Sequence, residues 1–83
     1  MLQASALPAS LATLRALEPA RITGFDLPPT HRQRLLEMGL TTGASIRMIR
    51  SAPLGDPIEV EVRGYRLSLR KRDARGIRVV AEA

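Results

Sequence analysis

The sequence predicts a small mainly-β (α+β) domain, a barrel or open sandwich of about five short strands. One well-capped helix and a short N-terminal helix complete it. Three observations carry this. Short apolar–polar alternations recur along the chain, dense turn chemistry separates them, and a single segment has good signals at both helix ends. At 83 residues there is room for one small domain. Such a chain buries only about 60–65% of the surface its unfolded form exposes, so modest stability is expected.

The clearest strand pattern runs from Ala52 to Leu69. Pro53, Gly55, Asp56 and Pro57 crowd together and fix a loop shape. Behind them Ile58, Val60 and Val62 alternate with Glu59, Glu61 and Arg63, the period of a half-buried strand. Gly64-Tyr65 offers a two-residue turn with Gly first, and Leu67 and Leu69 resume the alternation. That turn sets Arg63 opposite Arg66, Val62 opposite Leu67, Val60 opposite Leu69 and Glu59 opposite Arg70. A slip by one residue would turn the valines out into water.

The remaining elements follow in order. Residues 1–10 carry no packing signal and are expected to be loosely held, leaving 11–83 as the domain. Ser10 can cap a short helix through Leu11, Leu14 and Leu17, closed by Pro19. Arg21 to Asp26 is a strand, with Gly24 marking a bulge or a close backbone approach. Pro28 to Leu40 is the main helix, with Thr30 and Gln33 in capping-box spacing. Gly39 supplies a left-handed C-terminal residue that lets Leu40 fold back onto Leu35, and Gly43 sets the next turn. Ala44 to Arg50 is a strand with Ala44, Ile46 and Met48 on one side. Arg70 to Gly76 forms a charged connector of about one helical turn, and Ile77 to Val80 a last strand.

Composition narrows the function. Cysteine is absent, which removes disulfides, thiolate metal sites and cysteine nucleophiles, and fits a reducing compartment. No apolar run reaches the ~20 residues of a membrane span, and Met1 to Ala9 lacks the basic head of a signal peptide. The chain is therefore read as cytoplasmic. Thirteen basic residues against eight acidic ones give a net charge of +5, and only Lys71 among them is lysine. An acidic partner, an anionic membrane surface or a nucleic acid would suit that balance; a merely basic, solvated surface would produce it too. Phe25 and Tyr65 are the only aromatics, too few for a base-stacking platform, so nucleic acid is not expected.

Enzyme signatures are missing: no Gly-rich phosphate loop and no Gly-x-Ser-x-Gly elbow. No catalytic residue is assigned. His31, the one histidine, is the sole candidate ligand or base, and its sequence neighbours offer little acidic company. A solvated surface histidine, at most holding an adventitious divalent ion, is the plainer reading, and no cofactor is required. Loops held by a scaffold are where binding residues concentrate. Leu54, Gly55, Asp56, Pro57 and Ile58 are accordingly the candidate partner-binding residues. Gly39, Gly43, Gly64 and Tyr65 are the structural turn residues.

Three of these segments, in order, resemble the FeoA family of bacterial ferrous-iron uptake. Arg34-Leu-Leu-Glu-Met-Gly-Leu-Thr-Thr-Gly43 is similar to the family's helix and turn. Ala52-Pro-Leu-Gly-Asp-Pro-Ile58 is similar to its loop, and Val62-Arg-Gly-Tyr-Arg-Leu-Ser-Leu-Arg70 to its hairpin. The likeness spans about Leu14 to Val80. It implies an SH3-like β-barrel with helical additions, and a non-enzymatic partner of FeoB, the membrane ferrous-iron transporter, acting on its cytosolic part. Self-association is left open. Two other functions compete: a small basic barrel binding nucleic acid, and a metal-sensing module related to the C-terminal domain of iron-dependent repressors.

Overall fold

The computed structural model describes residues 9–82. The elements are β1 (Ala9–Ser10), a single 3-10 turn (Leu11–Thr13), β2 (Pro19–Phe25), α1 (Pro29–Glu37), β3 (Ser45–Ser51), β4 (Ile58–Val62), β5 (Tyr65–Leu69), α2 (Lys71–Arg75) and β6 (Ile77–Ala81). The six strands form one antiparallel sheet in the order β1-β6-β2-β3-β4-β5. Five of them are the expected strands. The sixth, β1, comes from the segment expected to be loose: Ala9 pairs with Val79 and Ser10 with Arg78. The rest of that segment, residues 1–8, lies outside the described residues.

Alternation decides the core. Ile22 from β2, Ile46 and Met48 from β3, Ile58, Val60 and Val62 from β4, Leu69 from β5 and Ile77 and Val79 from β6 all point inward and are buried. Leu35 and Leu40, at and beyond the end of α1, and Leu11 cover the open side of the sheet. Each such side chain removed from water contributes about 1.5–3 kcal/mol. Bulges bend the sheet at Ile22/Gly24 and at Met48/Arg50, where the register shifts. The bulge expected at Gly24 is therefore present.

The end of α1 forms as its sequence requires. Gly39 has φ +95, its N–H donates to the Leu36 carbonyl, and the Leu40 N–H donates to that of Leu35, the two bonds of a Schellman motif. The start differs from expectation. Thr30 lies inside the helix rather than at its cap, because Pro28 and Pro29 open it and no side chain caps it. A proline at the first helical position is already set near the helical φ and has no N–H to satisfy. Gln33 instead donates from Nε2 to Glu37 one turn on.

Two further expectations are corrected. The N-terminal helix shrinks to one 3-10 turn, although Ser10 does cap it by accepting from the Ala12 N–H. Leu17 leaves the stripe with φ +65 and lies exposed, its N–H donating to the Met48 carbonyl, and Pro19 opens β2 instead of closing a helix. Three leucines at threefold spacing cannot outweigh sheet pairing over so short a stretch.

The hairpin register also moves. The turn is Arg63-Gly64, with φ +52 and +87, so Val62 faces Tyr65, Glu61 faces Arg66, Val60 faces Leu67, Glu59 faces Ser68 and Ile58 faces Leu69. Two consecutive positive φ values define a I′ turn, whose twist matches that of the strands. The pairing slides by two residues, so every side chain keeps its face. Burial could not tell the two registers apart; charge favours the observed one, which replaces Arg63 opposite Arg66 by Glu61 opposite Arg66.

Candidate functional site

The loop between β3 and β4 is tied at both ends. The Ala52 N–H donates to the Pro57 carbonyl at 2.9 Å, and the Gly55 N–H donates to the Ala52 carbonyl at 2.7 Å. Pro53 stands second in that inner turn, where its fixed φ is favoured, and Gly55 closes it with φ +88. Asp56 reaches across to the next layer: its Oδ1 accepts from the Lys71 N–H at 2.9 Å, tying the loop to the start of α2. The Asp56–Pro57 peptide is cis.

This scaffold decides where the five loop residues go. Leu54 is 96% exposed at the tip. Asp56 and Pro57 are also exposed and Gly55 is half-buried. Ile58 is not on the surface; at 2% exposure it belongs to the core and anchors the loop from within. A shallow groove beside the tip is walled by Ala52, Pro53 and Pro57 on one side and by Arg50 and Glu59 on the other. Arg50 Nε and Glu59 Oε1 lie 3.0 Å apart there, and Arg66 approaches the same carboxylate at 3.9 Å. The tip is apolar and the groove beside it is lined by charged side chains.

Two of the turn residues, Gly39 and Tyr65, meet at the end of α1. Gly39, Gly43 and Gly64 all have positive φ, whereas Tyr65 stands just past its turn as the first residue of β5. The Tyr65 hydroxyl donates to the Met38 carbonyl, and Arg63 Nη2 donates to Thr41 Oγ1 at 2.9 Å. The hairpin tip thus clasps the end of α1.

His31 has a partner that its sequence neighbours did not reveal. Its Nδ1 lies 3.4 Å from Oδ1 of Asp73, a carboxylate only 8% exposed. That oxygen has no hydrogen-bond partner among the described residues. The two residues are 42 positions apart, and only the tertiary fold brings them together. In the sequence Asp73 sits within a charged connector; its one signal is a carboxylate followed by Ala74, Gly76 and Ile77. Two donors are short of the several a firm metal site needs, and no group of three or more His, Cys, Asp or Glu converges among the described residues.

Comparison with known proteins agrees with this architecture. A family model described as the FeoA domain matches residues 9–81. The chain belongs to the FeoA family. It is 44% identical over 69 residues to the Fe(2+) transport protein A/Fe(2+) transporter FeoB fusion protein of Porphyromonas gingivalis, covering 83% of this chain but only 8% of that one. Among solved structures, FeoA from Chlorobium tepidum superposes with a TM-score of 0.84 at 42% identity, over 89% of this chain and 70% of that one. The zinc-complexed FeoA of Stenotrophomonas maltophilia, an SH3-domain protein, superposes with a TM-score of 0.73 at 30% identity, over 84% and 87% of the two chains. The SH3-like barrel is thus the fold of this FeoA chain, and ferrous-iron transport is the process with which its family is associated. No helix among its described residues is long and apolar enough to cross a membrane.

Proposed function

We propose that this FeoA chain is a non-enzymatic accessory protein of ferrous-iron uptake that docks on the cytosolic part of the membrane iron transporter FeoB through the Leu54–Pro57 loop. One observation carries the reading. Leu54 exposes 96% of its surface at the tip of a loop fastened by two backbone bonds and by Asp56. A rigid apolar tip loses little conformational entropy on binding, so most of its burial appears as affinity. The fusion of a similar segment to an iron transporter in one chain supports the choice of partner. The role needs no resident metal, and places the protein in the cytoplasm.

The test is co-purification from detergent with the full transporter. Leu54→Asp should abolish recovery while circular dichroism and thermal unfolding stay native. Undiminished recovery of this variant would overturn the docking loop.

A further inference from the structure

Of the arginines without an ion pair among the described residues, Arg15, Arg32 and Arg63 lie apart, and four others gather about the α1–α2 groove. The strand arginines sit beside carboxylates: Arg21 by Glu82, Arg47 by Glu61, Arg50 and Arg66 by Glu59, and Arg78 by Asp26. Arg34 on α1, Arg70 before α2, and Arg72 and Arg75 on α2 are all exposed, and none of them forms an ion pair among the described residues. Arg34, Arg70 and Arg72 line one shallow groove between the two helices. Arg75 follows Arg72 by three positions and so shares its helix face. The groove's one carboxylate, Asp73, is buried and lies against His31 instead.

We propose that this α1–α2 face is a binding surface for anionic phospholipid headgroups. Guanidinium groups without intramolecular partners take phosphate oxygens two at a time. A protein partner would need an apolar centre to bury, and among the described residues the large exposed apolar side chains are Leu17, Leu54 and Tyr65, none of them on α1 or α2. A nucleic acid would need stacking aromatics. Phe25 lies in a different groove, and the Tyr65 hydroxyl is bonded to the Met38 carbonyl. Position fits as well. The bond from the Lys71 N–H to Asp56 sets the docking loop against the start of α2, so lipid contact and transporter contact adjoin. The inference rests on the docking reading for its location at a membrane, but its test does not involve the transporter.

The measurement is flotation of the full chain with vesicles of phosphatidylcholine alone, and with vesicles of equal parts phosphatidylcholine and phosphatidylglycerol. Binding should need phosphatidylglycerol and fade as salt rises. The double variant R72Q/R75Q should bind about thirtyfold more weakly, on the scale of juxtamembrane arginines. The double variant R47Q/R50Q has the same net charge and should lose less than about threefold. R34Q/R70Q repeats the test should R72Q/R75Q fail to fold. Equal losses in the helix and strand variants, equal binding to both vesicles, or tighter binding to a single-stranded oligonucleotide at the same salt would overturn the proposal. Leu54→Asp should leave flotation unchanged, which separates failure of this surface from failure of the docking loop.

Discussion

The hydroxyl of Tyr65 fills the space that a side chain at Gly39 would need. It donates there to the Met38 carbonyl, the residue just before Gly39. Glycine at 39 is therefore demanded twice, by a φ of +95 and by the phenol lying over it. The bond also ties β5 to an end of α1 whose last carbonyls would otherwise look for water.

Tyr65→Phe should cost about 0.5–1.5 kcal/mol, the usual worth of one such bond. In a domain of this size that lowers the thermal midpoint by several degrees, readable by calorimetry. Gly39→Ala should cost more, since left-handed strain of about 1–2 kcal/mol adds to the collision. With the hydroxyl gone the nearest ring carbon lies 3.5 Å from the new methyl, an ordinary contact. The double variant G39A/Y65F should thus be less destabilised than the sum of the two. Simple additivity would show that the phenol does not press on Gly39.

Gly64 and Gly76 isolate the two demands. Gly64 has φ +87 and open space around it, so Gly64→Ala should cost only the conformational strain, about 1–2 kcal/mol. Gly76 has an ordinary φ of −92, but a methyl there would stand 2.8 Å from the Asp26 carbonyl and against Leu27. That carbonyl belongs to backbone fixed by the bond from the Asp26 N–H to Gly76. Overpacking such a site costs about 1–3 kcal/mol or more. Urea unfolding should rank Gly76→Ala at least as damaging as Gly64→Ala; a neutral Gly76→Ala would mean that the Leu27 segment yields.

Leu54→Asp is expected to change stability by less than about 0.5 kcal/mol, because the side chain touches nothing that folding buries. Ile58→Ala, four residues on, should cost about 2–5 kcal/mol from within the core. Denaturant midpoints of the two variants separate the part of the loop that faces out from the part that holds it. Similar midpoints would show that the tip is also structural.

Zinc or ferrous iron added anaerobically should bind weakly at His31 and Asp73, and either His31→Ala or Asp73→Asn should remove that binding. Chelator should leave the thermal midpoint where it was. Tight binding that survives both variants would place ligands elsewhere.

Outward pairs on the strands add little to this stability. Arg47 and Glu61 are 46% and 31% exposed, and such pairs contribute about 0–1 kcal/mol each. Their larger consequence is spatial: they occupy all five strand arginines, so the uncompensated charge lies on the helices and turns.

The sequence alone determined what depends on neighbours a few residues away. The inward faces of β3 and β4 follow from a period of two, the Schellman end of α1 from Gly39 and Leu40, and the fastened loop from Pro53, Gly55 and Pro57. Each of these is settled by local sterics and by which side chains avoid water. The tertiary structure decided what depends on distant partners or on a near tie. The hairpin turn fell on Arg63-Gly64, where the two registers bury the same residues and charge sets Glu61 opposite Arg66. Leu17 left its stripe for a backbone bond to Met48, and β1 formed only because β6 offered an open edge. His31 met Asp73, Tyr65 met Met38 and Gly76 met Asp26 across dozens of positions. Arg34 came to line one groove with Arg70 and Arg72, which lie far along the chain from it. No period or spacing records these meetings, since chain topology, and not local preference, sets which residues come within reach.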